Sequence, residues 1–300
     1  MKNFDQVVFA GGGNRCWWQA GFWHALNEKY PQAPERIVAI SAGAATACLL
    51  YARPGKEGAQ WALQYYEDAL CNVTKNVHWE NIWSDQKVFP HNAIYSKALS
   101  NILAKSPENL KNAPDIYIGV AHIPKWLGPK SAVFIGLLAY NLEKYVLKNL
   151  HPKLGRCLGF KREFVKAQDC KNLKELQELI LQSSCTPPFT PVMYRNHHAV
   201  LDGGLVDNVP IDGLAPSQNG KISEVLVLVT RRYPFPDVFV RELPGLRLTY
   251  VQPTKKVVMS SWDYSRSELM RPTYQQGHDD AQLLLDQIMH VAVQHAEHQK

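Results

Sequence analysis

Three consecutive glycines early in the chain set the terms for its fold. Gln6-Val7-Val8-Phe9-Ala10 reads as a strand, Gly11-Gly12-Gly13 follows, and residues from about Arg15 to Glu28 read as a helix. A second strand, Arg36-Ile37-Val38-Ala39-Ile40, runs into Ser41, and a helix extends from Ala42 to about Tyr51. Strand, glycine turn, helix, strand, tight turn, helix is the order of an α/β protein. In such folds the loops at the carboxyl ends of parallel strands form the site. The glycine loop and Ser41 are therefore expected to meet at one edge of the sheet.

Further along, helices are expected at about Gly58–Leu70, Asn92–Ala104, Leu173–Gln182 and Asp279–His295. Strands are expected at Ile116–Ala121, Glu163–Ala167, Val225–Val229 and Leu246–Val251, with a pair of strands flanking Arg195-Asn196-His197, the second being Ala199–Leu201. No repeat, low-complexity tract or Pro/Gly linker divides the chain. One domain over residues 1–300 is expected, carrying a basic and apolar insertion at 126–161.

Charge narrows the partner classes. The formal net charge is +6. Between Lys125 and Lys166 nine Lys and Arg face two Glu, so this window carries the whole excess. Its apolar residues, among them Trp126, Phe134, Leu137, Leu138 and Tyr140, suit a segment at a membrane interface. Peripheral contact with an anionic membrane is one expectation, and an ordinary solvated face is the other. Nothing resembling a nucleic-acid-binding motif accompanies the charge, so no nucleic-acid partner is expected. The six cysteines show no CxxC pair or metal-ligand spacing, and neither a metal site nor a cofactor is expected. The N-terminus lacks the three-part pattern of a Sec-type signal peptide. A cytoplasmic or peripheral membrane protein is expected, with signal-less export compatible.

Chemistry concentrates in three places. Ala39-Ile40-Ser41-Ala42-Gly43 places a serine between a buried strand and a helix, among small residues. A nucleophile elbow needs that pattern, because the turn is sharp and the hydroxyl must project over the sheet. Gly11-Gly12-Gly13-Asn14-Arg15 can aim several backbone N–H groups into one concavity. A dinucleotide fingerprint would place a glycine at Cys16 and an acidic residue at the end of the second strand, which ends in Ser41 instead. An oxyanion hole fits the loop better. Leu201-Asp202-Gly203-Gly204 ends a strand in a carboxylate followed by a flexible turn, where Asp202 could take the Ser41 proton directly.

Together these blocks resemble the patatin-like phospholipase family. The resemblance rests on Gly-Gly-Gly-x-Arg after the first strand, small-x-Ser-x-Gly after the second, the serine- and proline-bearing segment Leu181–Val192, and the distant Asp-Gly-Gly with Pro210 beyond it. It spans residues 7 to about 210. It implies a three-layer α/β sandwich with a mainly parallel central sheet, and a lipid acyl hydrolase acting on phospholipid or other lipid esters. Ser41 would be the nucleophile and Asp202 the base, without a catalytic histidine. Gly11, Gly12 and Gly13 would supply oxyanion donors, and Arg15 would brace that loop or help bind a phosphate. Two positions depart from the family pattern. Ala39 replaces the elbow's first glycine, and Cys16 replaces the glycine after Arg15. These departures motivate an alternative, a weak or inactive relative that binds lipid or regulates.

A Ser–His–Asp enzyme is the other rival. His24, His122, His197 and His198 precede Asp202, against the usual order of Ser, acid, then His. After Asp202 come His278, His290, His295 and His298, most of them in the terminal helix, whose apolar face already accounts for it. Trp17, Trp18 and Trp23 on the first helix are expected in the core, with one of them free to line an acyl pocket.

Overall fold

The computed structural model describes residues 3–81, 88–104, 106–124, 126–128, 131, 149–151, 154–217 and 220–297. Strands β1 (Gln6–Phe9), β2 (Arg36–Ile40), β3 (Asp115–His122), β4 (Lys161–Lys166), β5 (Met193–Arg195), β6 (His198–Asp202), β7 (Ser223–Leu228), β8 (Val238–Leu243) and β9 (Leu246–Val251) join in one sheet. Its order is β5-β6-β3-β2-β1-β7-β9-β8, with β4 also paired to β3. The five central strands, β3-β2-β1-β7-β9, are mutually parallel. Strands β4 and β6 run antiparallel to β3, and β8 runs antiparallel to β9.

The central strands are mostly apolar, with their polar residues chiefly near the strand ends, because both faces are covered. Along β1, Val7 and Phe9 enter one core while Val8 and Ala10 enter another. Helices α1 (Cys16–Lys29), α2 (Ala42–Ala52), α3 (Gly55–Leu70), α4 (His91–Ile102), α5 (Leu173–Ser183) and α6 (Met270–Glu297) contribute to the first core. The second core, on the opposite face, is closed by Leu150, Val209, Ile211, Leu214 and Tyr233, from loops and a short 3-10 turn. The sheet is thus the middle of three layers.

Two elements differ from the sequence reading. The terminal helix begins at Met270 rather than near Asp279. Pro272 looks like a breaker, yet it lies in the first turn, where its missing N–H costs the helix no bond. Strand β8 went unread because Arg241 and Glu242 interrupt its apolar pattern. It pairs with β9 through the two-residue turn Pro244–Gly245, and Gly245 has φ +72. Proline followed by a positive-φ glycine suits a type II turn.

Helices α1 and α6 cross at glycines. A Cβ on Gly21 would lie 1.9 Å from the Tyr274 carbonyl oxygen, and one on Gly277 would lie 2.0 Å from that of Trp18. Gly277→Ala should therefore destabilise the protein by about 2 kcal/mol or more through overpacking. Urea unfolding measures this. A gain of ~1 kcal/mol, as helix propensity alone would give, would show that the crossing is loose.

The basic window divides on inspection. Residues 129–130, 132–148 and 152–153, with Lys125, lie outside the described residues, so most of the expected apolar residues, Phe134, Leu137, Leu138 and Tyr140 among them, and Lys130, Lys144, Lys148 and Lys153 do as well. In the described part, three of the basic side chains have acidic partners. The Arg162 side chain is 1% exposed and pairs with Asp212. Arg156 pairs with the same carboxylate at 3.1 Å, and Lys166 pairs with Asp115 at 2.7 Å. These charges are matched within the fold. No helix among the described residues is long and apolar enough to cross a membrane.

Candidate active site

Ser41 stands between the end of β2 and the start of α2 with φ 53 and ψ −137. A non-glycine residue held at positive φ is uncommon and costs on the order of 1–3 kcal/mol, so the surroundings must enforce it. The enforcement is visible. The Ser41 N–H donates to Ser183 Oγ at 2.8 Å, and that hydroxyl donates to the Gly119 carbonyl at 2.7 Å. Two residues on, a Cβ at Gly43 would lie 2.6 Å from the carbonyl oxygens of both Phe9 and Ala10. Only glycine lets α2 start this close to the end of β1.

Asp202 closes β6 and reaches the serine. Ser41 Oγ donates to Asp202 Oδ2 at 2.6 Å. Asp202 Oδ1 accepts the Gly204 N–H at 2.7 Å, and the Thr186 hydroxyl approaches Oδ2 at 3.4 Å. The Asp202 N–H donates to the Cys185 carbonyl at 2.7 Å, so the serine- and proline-bearing segment holds both residues. Ser41 and Asp202 are both buried. Burial pushes the Asp202 carboxyl up to about 6, against the pull of its hydrogen bonds from Ser41, Gly204 and Thr186 and of the Arg162 charge.

The glycine loop lies against this pair. A Cβ on Gly11 would come 3.3 Å from Ser41 Cβ. Asn208 grips Gly11 from both sides, accepting its N–H at 3.1 Å and donating Nδ2 to its carbonyl at 2.8 Å. Thr230 Oγ1 donates to the same carbonyl. Gly11 is thus spoken for by structure, while the N–H groups of Gly12 and Gly13 donate to no acceptor among the described residues. Gly13 has φ +57. Arg15 folds back, its Nε donating to the Gly12 carbonyl at 3.3 Å. Cys16 does not crowd the loop. It opens α1, is buried, and turns its thiol toward the Ala10 carbonyl. Burial raises its pKa far above the ordinary thiol range.

Two connected cavities open beside Ser41. One, about 410 Å³ with its mouth, includes Ser41, Gly13, His91, Tyr95, Trp262 and Tyr264 in its walls. The other, about 470 Å³, runs between α1, α2 and α4 past Cys16, Trp17, Ala45, Leu49, Leu99 and Ile102. They share Gly13, Asn14, Ala42, Tyr66 and Tyr95. The walls are mostly apolar. Of the three tryptophans of the first helix, Trp17 lines the cavity beside Ser41, whereas Trp18 and Trp23 pack in the core.

None of the four weighed histidines reaches the pair. His24 bonds Tyr274, His122 bonds Glu163 at 2.6 Å, and His197 and His198 are exposed. His278 lies 3.3 Å from Glu28. The side chains of His290, His295 and His298 are outside the described residues. The histidine that shares a cavity wall with Ser41 is His91, which no sequence pattern singles out. His91 is 1% exposed and donates Nε2–H to the Trp262 carbonyl at 3.0 Å. The rings of Phe89, Phe189 and Tyr264 surround it, and burial lowers its pKa. Asn208 and Ser183 were also missed as supports. Asn208 lies in the quoted Asp-Gly-Gly block, and Ser183 in the serine-proline block, so block position was the available signal.

A strained serine, a buried carboxylate 2.6 Å away, free backbone donors and an apolar cavity form an acyl-transfer geometry. No curated protein matches the chain. Among solved structures, the crystal structure of VipD from Legionella pneumophila is similar, with 14% identity and a TM-score of 0.41 over 95% of this chain and 67% of that one. A family model described as patatin-like phospholipase matches residues 7–215. That stretch begins at the first strand, takes in the glycine loop and Ser41, and ends beyond Asp202, so the chain belongs to the patatin-like phospholipase family of lipid acyl hydrolases.

Proposed function

We propose that the chain is a serine lipid acyl hydrolase, of phospholipase A, lysophospholipase or esterase type, working through a Ser41–Asp202 dyad. The 2.6 Å hydrogen bond from Ser41 Oγ to Asp202 Oδ2, at the wall of an apolar cavity, carries the reading. Asp202 takes the Ser41 proton as Oγ attacks the ester carbonyl. The N–H groups of Gly12 and Gly13, with the first N–H groups of α2, bear the oxyanion. Asp202 then gives its proton to the departing alcohol. In the second half it takes a proton from water, the hydroxide adds to the acyl-serine, and collapse returns that proton to Ser41 Oγ as the fatty acid leaves. The acyl chain extends past Trp17 and Leu49, between α1 and α2.

The lipid-binding alternative rested on Cys16 and Ala39. Both side chains are buried, Ala39 in the helix-side core and Cys16 with its thiol toward the Ala10 carbonyl. We read the chain as one hydrolase unit over residues 1–300, with peripheral membrane contact through the 126–161 region. A fluorophosphonate probe tests the central reading. Labelling of the wild type that disappears in Ser41→Ala is expected. Absence of labelling in a folded wild type would favour the binder.

A further inference from the structure

A second cleft lies between the C-terminal halves of α1 and α2, at the opposite ends of those helices from Ser41. It encloses about 730 Å³ with its open mouth and shares no wall residue with the Ser41 cavities. Trp23, Leu50 and Pro54 give it apolar walls, and His24, Tyr51 and Lys56 add polar ones.

Two of those polar groups are unsatisfied. His24 is 7% exposed, with Nδ1 2.6 Å from the Tyr274 hydroxyl. That hydroxyl has no other partner among the described residues. It satisfies both groups only by donating to Nδ1, which places the imidazole proton on Nε2. Burial lowers the His24 pKa to about 4, so the ring is neutral. The Nε2–H is then a buried donor, and it has no acceptor among the described residues. The Tyr51 hydroxyl is buried and unpartnered there as well. Buried polar groups are normally hydrogen-bonded, and two orphans on the walls of one roomy cleft point to a missing acceptor. Lys56, exposed at the rim, has no acidic partner among the described residues.

We propose that this cleft is a second ligand site, taking a monocarboxylate with an apolar tail. The carboxylate accepts from His24 Nε2–H and the Tyr51 hydroxyl and faces Lys56, while the tail lies on Trp23 and Leu50. Glu28, also at the cleft, disfavours a dianion such as phosphate. A fatty acid is of this class, and it is also the product of the proposed hydrolysis, although the site does not depend on that reading.

Isothermal titration of decanoate into the full-length protein tests the site without any turnover. Tyr51→Phe deletes a hydroxyl that bonds nothing among the described residues, so it should leave stability and ester hydrolysis unchanged. It should weaken decanoate binding by about tenfold, and Lys56→Gln should do likewise. Ala45→Phe, which narrows the Ser41 cavity, should leave this binding in place. Equal decanoate affinity in wild type, Tyr51→Phe and Lys56→Gln would overturn the proposal. Decanol binding as tightly as decanoate, or no decanoate binding at all, would overturn it too.

Discussion

Asp202→Asn is expected to lower the rate of ester hydrolysis by about 10³-fold and to gain stability relative to the wild type as pH rises from 4 to 8. Both effects follow from one buried carboxylate. Asparagine has one oxygen for the two hydrogen bonds that Asp202 accepts, from Ser41 and the Gly204 N–H, and it cannot take the proton, so the nucleophile stays an alcohol. Stability moves the other way. The folded-state pKa of Asp202 is raised from 3.8 to about 6 because burial disfavours the charged form. A raised acid contributes stability that is fully present below its unfolded pKa and is lost as pH rises through the folded value. By pH 8 the loss amounts to about 3 kcal/mol, at ~1.4 kcal/mol per pK unit. The neutral amide escapes it. The stability advantage of Asp202→Asn over wild type should therefore grow between pH 4 and pH 8, readable as a rising difference in melting temperature. A flat difference would show that Asp202 is not held at a raised pKa, and an active variant would remove it as the base. Ser41→Ala should be equally inactive, because the two residues act as one unit. Such a gain from losing function is a known cost of active sites that hold a charge out of water.

Much of this was legible before any coordinates, and the reason is local. The parallel core strands carry short apolar runs, so Val7–Phe9, Ile37–Ile40 and Val225–Leu228 stand out without periodicity analysis. The elbow is legible because its neighbours must be small, and Gly43 shows why, with two carbonyl oxygens where a Cβ would go. What stayed hidden is what depends on chain segments meeting. His91 and Trp262 come from a helix start and a loop 171 residues apart, and no pattern in either marks them as walls of one cavity. The cleft at His24 and Tyr51 is hidden for the same reason. Arg162 was misread because sequence counts charge and cannot see that Asp212 and the Asp207 carbonyl enclose it.

The pH dependence of hydrolysis gives the second large effect, and the structure changes its expected position. A free aspartate titrates near ~3.9, which would leave a Ser–Asp enzyme active well below the range of a histidine base, near ~6.5. Burial moves Asp202 to about 6, so the two limbs nearly coincide. Since the ionised form is the base, kcat/KM should fall as pH drops through 6, to roughly one tenth of its plateau by pH 5 and one hundredth by pH 4. Position alone then cannot identify the group, but its chemistry can. Carboxylate ionisation carries little enthalpy whereas imidazole ionisation is endothermic, so an aspartate limb should stay put on warming. It should also survive His91→Gln, because His91 gives its Nε2–H to the Trp262 carbonyl and makes no hydrogen bond to Ser41 or Asp202. A limb that moves to lower pH on warming, or vanishes in His91→Gln while the protein remains folded, would transfer the base from Asp202 to histidine.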